Sequence, residues 1–141
     1  MEIGNTIEEL ELGQKASFSK TITEVDVLNY AGTTGDFNPA HVNEEFAKKT
    51  MFKGRIAHGM LGAGLISAVL GTKLPGPGAI YISQDLSFRA PVNFGDTVTA
   101  TVEVVDKNEE KNRVVMKEVC TNEEDKEVIA GKAVLMPPKN K

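Results

Sequence analysis

Apolar and polar residues alternate along four segments of the C-terminal half, roughly 79–90, 97–106, 113–121 and 127–136. A period of two sends every second side chain to one face, as a half-buried strand requires. The segments are rich in Val, Ile, Thr or Phe, and turn formers separate them: Asn93-Phe94-Gly95-Asp96, Lys107-Asn108-Glu109 and Asn122 through Asp125. The pattern predicts a meander of long antiparallel strands joined by hairpins. A shorter strand is expected at 15–22.

The N-terminal half follows another rhythm. Thr23 can cap a helix, with Asp26 three residues on in a weaker version of a capping box. Val25, Leu28 and Tyr30 place a short helix after it, ending near Gly32 or Gly35. The stretch 35–41 reads as a loop, and Asn43 can cap a second short helix carrying Phe46 and Ala47. Residues 56–71 are apolar on every side apart from Ser67. That run exceeds a usual strand, and its Ala, Leu and Met favour a helix, which must then be buried all round. The architecture expected is α+β: a long central helix wrapped by a curved antiparallel sheet, in a single domain over 1–141 with no internal repeat.

Composition narrows the function classes. A chain of 141 residues suffices for one sizeable core. Sixteen basic residues against twenty acidic ones give a formal charge of -4, with no basic stripe of the kind nucleic acid demands. The single cysteine, Cys120, has no internal partner and no zinc-site spacing around it. The first ten residues are acidic and lack the apolar core of a signal peptide. The longest apolar run, 59–71, falls short of the roughly 20 residues that span a bilayer. A soluble cytoplasmic protein is expected, with neither membrane nor nucleic acid as partner.

Asp36 and His41 are the candidate chemical centre. Gly35 gives the backbone freedom, while Pro39 fixes its own φ and pushes Asn38 towards an extended shape. A stiff segment of this kind can hold a carboxylate and an imidazole in fixed relation, as general acid/base work needs. Gly-Asp and Asn-Pro also mark turns for local reasons, so spacing alone leaves a plain turn as an alternative. Two histidines with no third ligand do not make a catalytic zinc site, and no metal is expected.

The run Tyr30-Ala31-Gly32-Thr33-Thr34-Gly35-Asp36-Phe37-Asn38-Pro39-Ala40-His41, followed by Ala47, resembles the hydratase-2 motif of the MaoC-like dehydratases, which include the (R)-specific enoyl-CoA hydratases. His58-Gly59-Met60-Leu61 resembles the start of that family's central helix, and Leu86-Ser87-Phe88-Arg89-Ala90-Pro91-Val92-Asn93-Phe94-Gly95-Asp96 its strand–turn–strand signature. The resemblance spans nearly the whole chain. It implies a hot-dog fold and a homodimer in which two sheets join edge to edge. It also implies Asp36 and His41 as a catalytic pair on one water, and the Gly59 N–H as donor to the thioester oxygen. Ser67 matches a serine that orients the site, with a helix serine bonding back to a carbonyl as the alternative. Asn38 orients the loop, and His58 is structural or an orienter.

One position departs from the motif. Ala40 stands where Leu, Ile or Val usually precedes the histidine, which bears on packing and acyl-pocket width. Leu70 and Val134 are candidate pocket walls, with core packing the plainer role for each. Lys53, Arg55, Lys73 and Arg89 are candidates for the coenzyme A phosphates only because they are basic; solvated surface is their plainer role.

The activity implied is reversible hydration of a trans-2-enoyl-CoA to an (R)-3-hydroxyacyl-CoA. No cofactor is needed, because coenzyme A is part of the substrate. The rivals are dehydration of another 3-hydroxyacyl thioester, on coenzyme A or acyl carrier protein, a hot-dog thioesterase, and a non-catalytic acyl-thioester binding module.

Overall fold

The computed structural model describes residues 2–140. Thr23 opens the first helix, α1 (Glu24–Thr34), as a full capping box. Its hydroxyl accepts the Asp26 N–H at 3.1 Å, and the Asp26 carboxylate accepts the Thr23 N–H at 2.9 Å. Two donors that a helix start leaves free are thereby satisfied. Gly35 ends α1 with a φ of 84°, the left-handed geometry that a Cβ resists.

The expected loop at 35–41 is partly helical. Pro39–Val42 forms a single turn, α2, because Asn38 accepts the Ala40 N–H at 3.0 Å and Pro39 is pre-set for the first helical position. Asn43 caps α3 (Glu44–Ala47) by accepting the Phe46 N–H. The apolar run becomes α4 (Gly59–Thr72). Among the described residues, no helix is long and apolar enough to cross a membrane.

The strands are β1 (Lys15–Thr21), β2 (Ile80–Phe88), β3 (Thr97–Asn108), β4 (Arg113–Thr121) and β5 (Glu127–Met136). They form one antiparallel sheet in the order β1-β3-β4-β5-β2, the hot-dog arrangement of a sheet wrapped on a helix. Only β3-β4-β5 is a meander, so the hairpin expected between β2 and β3 is absent. The reason lies in residues 89–96. Pro91 cannot donate to a ladder, and the segment is held elsewhere, with the Ala57 N–H on the Val92 carbonyl at 2.8 Å and a bridge between Ile56 and Asn93. The chain crosses the sheet there, and β2 is left pairing with β5 at the far edge.

The helix α4 also departs from expectation. Gly62, Leu65, Ile66, Val69 and Leu70 are buried against Val98, Val102, Met116 and the rest of the sheet's inner face. Met60, Gly64, Ser67 and Ala68 are exposed. A single chain has only one sheet to lay on the helix, so burial on all sides is not reached within it.

One polar group enters this core. Glu118 on β4 is fully buried among Met116, Cys120 and their neighbours. One carboxyl oxygen accepts from Gln84 Nε2, while the other has no hydrogen-bond partner. Burial pushes the carboxyl up to about 7, with the Gln84 bond working against the shift. A raised carboxyl favours its protonated form in the folded state. Its stabilising share is therefore complete below the ordinary value of 4.5 and is lost as pH rises through about 7. Glu118→Gln is expected to gain more over the wild type at about pH 8 than at about pH 5. Urea unfolding at the two pH values checks this; an equal difference at both would sink it.

Candidate active site

His41 is fixed from two sides. Its Nδ1 lies 2.8 Å from the Ile56 carbonyl oxygen. A carbonyl can only accept, so Nδ1 is the donor, and in the neutral ring Nε2 holds the lone pair. Its own carbonyl accepts from Arg55 Nε at 2.7 Å. Arg55 in turn pairs with Glu24 at 2.7 Å and lies 4.9 Å from the Phe94 ring centroid. It thus ties α1 and α2 to the turn after Pro91. Sequence reading offered Arg55 as a phosphate candidate, with solvated surface as its plainer role; the structure puts it beneath the site. No local signal marks this, because its side-chain partners lie 14 and 31 residues away.

Asp36 follows the left-handed Gly35. Its N–H donates to the Thr34 hydroxyl at 3.2 Å, and its carboxylate accepts the Asn38 N–H at 3.2 Å. His58, the residue before α4, closes the group. Its Nε2 donates to the Asp36 backbone carbonyl at 2.9 Å. One ligand-capable side-chain atom from each of Asp36, His41 and His58 lies within 4.8 Å of the others.

His41 and His58 reach a cavity of about 440 Å³. His41, His58 and Gly59 are on its wall with the apolar groups Leu61, Phe88, Val98 and Ile129, and Asp36 is exposed beside them. Gly59 is first in α4, where intrahelical bonding leaves the N–H unpaired and the helix dipole favours negative charge. A Cβ on Gly59 would stand 2.8 Å from the Phe88 ring, so a larger residue there requires that ring to shift. The combination is a base with a free lone pair, a neighbouring carboxylate and a backbone donor, opening on an apolar chamber.

The remaining expected residues are placed as follows. Asn38 serves as the cap of α2. Ser67 is not brought to the cavity; it lines a second groove of about 410 Å³ with Met60, Tyr81 and Gln84. Leu70 is core, and neither it nor Val134 lines either opening. Of the four basic candidates, Arg89 is on the cavity wall, whereas Lys73 donates to the Ser17 carbonyl. Asp36, His41 and His58 are also a donor set for a divalent cation. The two imidazoles, however, stack at 3.9 Å with planes 32° apart. Ring lone pairs lie in the ring planes, so stacked rings do not aim at the one point that tetrahedral coordination needs.

The model of the MaoC like domain matches residues 8–127. An (R)-specific enoyl-CoA hydratase of Rhodospirillum rubrum is 57% identical over 131 residues, covering 93% of this chain and 90% of that protein. A 3-hydroxybutyryl-CoA dehydratase of Methylorubrum extorquens is 50% identical over 132 residues, covering 94% and 83%. Among solved structures, an R-hydratase of Pseudomonas aeruginosa superposes with a TM-score of 0.91 at 44% identity, covering 97% and 88%.

Proposed function

Since the chain belongs to the MaoC-like dehydratase family, we propose that it is a hydro-lyase that adds water reversibly to a trans-2-enoyl-CoA, giving the (R)-3-hydroxyacyl-CoA. The observation that carries this reading is the contact of His41 Nδ1 with the Ile56 carbonyl. With its proton committed to the Ile56 carbonyl, Nε2 is free to act as base beside the Asp36 carboxylate and the start of α4.

In the forward direction the thioester oxygen accepts the Gly59 N–H, which stabilises the enolate-like charge as it develops. His41 Nε2 takes a proton from water while the water oxygen bonds to the β-carbon. Asp36 holds the same water and helps return that proton to the α-carbon, so the site ends as it began. Coenzyme A enters as part of the substrate, and Asn38 contributes by holding α2 in place.

The proposal includes one domain over 1–141 and a cytoplasmic location, in keeping with the free, buried Cys120 thiol. It also includes a homodimer. Ile80, Tyr81 and Ile82 are exposed on β2, an edge strand, and Met60 and Ser67 are exposed on the neighbouring face of α4. Apolar strand edges need cover, and a second copy joined through β2 supplies it. Any part Ser67 takes in the chemistry is then in the partner's site.

The test follows loss of enoyl absorbance with trans-2-butenoyl-CoA, chiral analysis of the product, and the mass in solution. Expected are (R)-3-hydroxybutyryl-CoA and twice the chain mass. Thiol release with no hydration would support a thioesterase instead. The described cavity wall carries no Ser, Thr or Cys as nucleophile. Turnover only on acyl carrier protein would move the substrate class, and tight binding without turnover would make this a binding module.

A further inference from the structure

His58 is the second histidine of the chain, and the reaction proposed above gives it no proton to move. Its surroundings are nonetheless more constrained than those of Asp36 or His41. The residue is 3% exposed. Its ring lies 3.9 Å from the His41 ring on one contact and 4.6 Å from the Tyr30 ring on another. Nε2 lies 2.9 Å from the Asp36 backbone carbonyl, and that oxygen can only accept, so the proton is on Nε2. Nδ1 is buried and has no hydrogen-bond partner.

Burial of a bare ring nitrogen is unfavourable, and an aliphatic or phenyl side chain in the same slot would avoid it. The position therefore uses one donor, and that donor meets Asp36. The backbone of His58 runs directly into Gly59, the first residue of α4. One side chain thus links the three parts of the site: the Asp36 backbone through a hydrogen bond, the His41 plane through stacking, and the Gly59 N–H through the chain itself. It does not cap α4, since no side-chain cap bond is made there.

We propose that His58 is a positioning residue that locks the Asp36 carbonyl and the His41 ring to the start of α4, holding base, carboxylate and oxyanion donor as one rigid unit. The proposal rests on the hydratase reading above. Misplacement of a reacting group by about 1 Å can cost on the order of a hundredfold in rate. Loss of the His58 donor should accordingly appear in kcat more than in KM, because the apolar wall of Leu61, Phe88, Val98 and Ile129 is unchanged.

Two variants separate the donor from the ring. His58→Phe keeps an aromatic ring for stacking and removes the donor. His58→Gln keeps a donor at the same reach and removes the ring. With trans-2-butenoyl-CoA, His58→Phe is expected to lose about tenfold to a hundredfold in kcat with KM within about threefold of wild type. His58→Gln is expected to recover most of that loss. Thermal unfolding reports stability separately. A His58→Phe variant with wild-type kcat overturns the proposal, and so does a His58→Gln variant as slow as His58→Phe. If His58→Phe does not fold, His58→Gln decides alone: kcat within about threefold supports the donor role, and a loss above about tenfold overturns it. A wild-type protein with no hydratase activity would instead remove the reading beneath the proposal, so the two failures cannot be confused.

Discussion

Asp36→Ala and His41→Ala are each expected to lower kcat for enoyl-CoA hydration by about 10²–10⁴-fold, the range a positioned acid or base supplies. Neither should unfold the protein. Asp36 is exposed, and its carboxylate accepts one backbone N–H. His41 is half-buried and gives up one bond, to the Ile56 carbonyl, when truncated. The cost of that bond is about 1 kcal/mol in stability, a small fraction of a domain's total. Groups that act on one water work as a unit, so the double variant should be barely slower than the slower single one. The absorbance assay with trans-2-butenoyl-CoA measures all three. A folded single variant turning over at the wild-type rate would refute the pair's assignment, and multiplicative losses in the double variant would mean that the two act on separate steps.

The second large effect concerns the fold. Gly131 lies within β5, paired with Leu86 on one side and Glu118 on the other. A Cβ built there stands 1.9 Å from the Asp85 carbonyl oxygen and 2.9 Å from Leu86 Cδ2. The first contact is with backbone, so no rotamer change relieves it; β2 must leave β5. Gly131→Ala is expected to cost about 3 kcal/mol or more, above the usual range for overpacking. That corresponds to a fall of about 10 °C in Tm for a domain of this size. Because β2 carries Phe88 over Gly59, hydratase activity should fall with it. Calorimetry decides: a midpoint within about 2 °C of wild type would show that the strands can part without penalty. Gly62 makes a useful control. Its added Cβ would meet the end of the Ile129 side chain at 2.6 Å, a side-chain contact where that of Gly131 is with backbone.

The buried Glu118 and the open groove by Ser67 lie on the same side of the sheet, linked through Gln84. This is the side on which α4 leaves Met60, Gly64 and Ser67 uncovered. Incomplete helix burial, an apolar edge on β2 and a polar group beneath them thus belong to one region. The homodimer proposed above would cover that region, whereas the cavity beside His41 is lined by Gly59 and Phe88.

Much of this protein was legible before any coordinates. The bounds of β4 and β5 and the cap at Thr23 agree with the pattern; α1 stops at Gly35, one of the two glycines the pattern offered, and α4 starts at Gly59, three residues into the apolar run. Each is set by side chains within about four positions of one another, through periodicity or a capping bond. The Asp36–His41 pair was legible for a related reason, since Gly35, Asn38 and Pro39 constrain the few residues between them. Local spacing nevertheless left a turn as an alternative, and the family resemblance favoured the pair.

Long-range contacts decided the rest. The placement of β2 beside β5 depends on where residues 89–96 are held, by Ile56 and Ala57 more than 30 positions earlier. Arg55 became a strut under His41, and His58 a clamp on Asp36, through partners up to 31 and 22 residues away. Ser67 was displaced from the site by the turn of α4, which points it away from Gly59's cavity. Sequence by itself determined most of the elements and pointed to Asp36 and His41, because those signals act over one or two turns of chain. Only the tertiary structure determined which groups meet, because bonds between distant residues depend on how the sheet closes over the helix, and no short stretch of sequence encodes that closure.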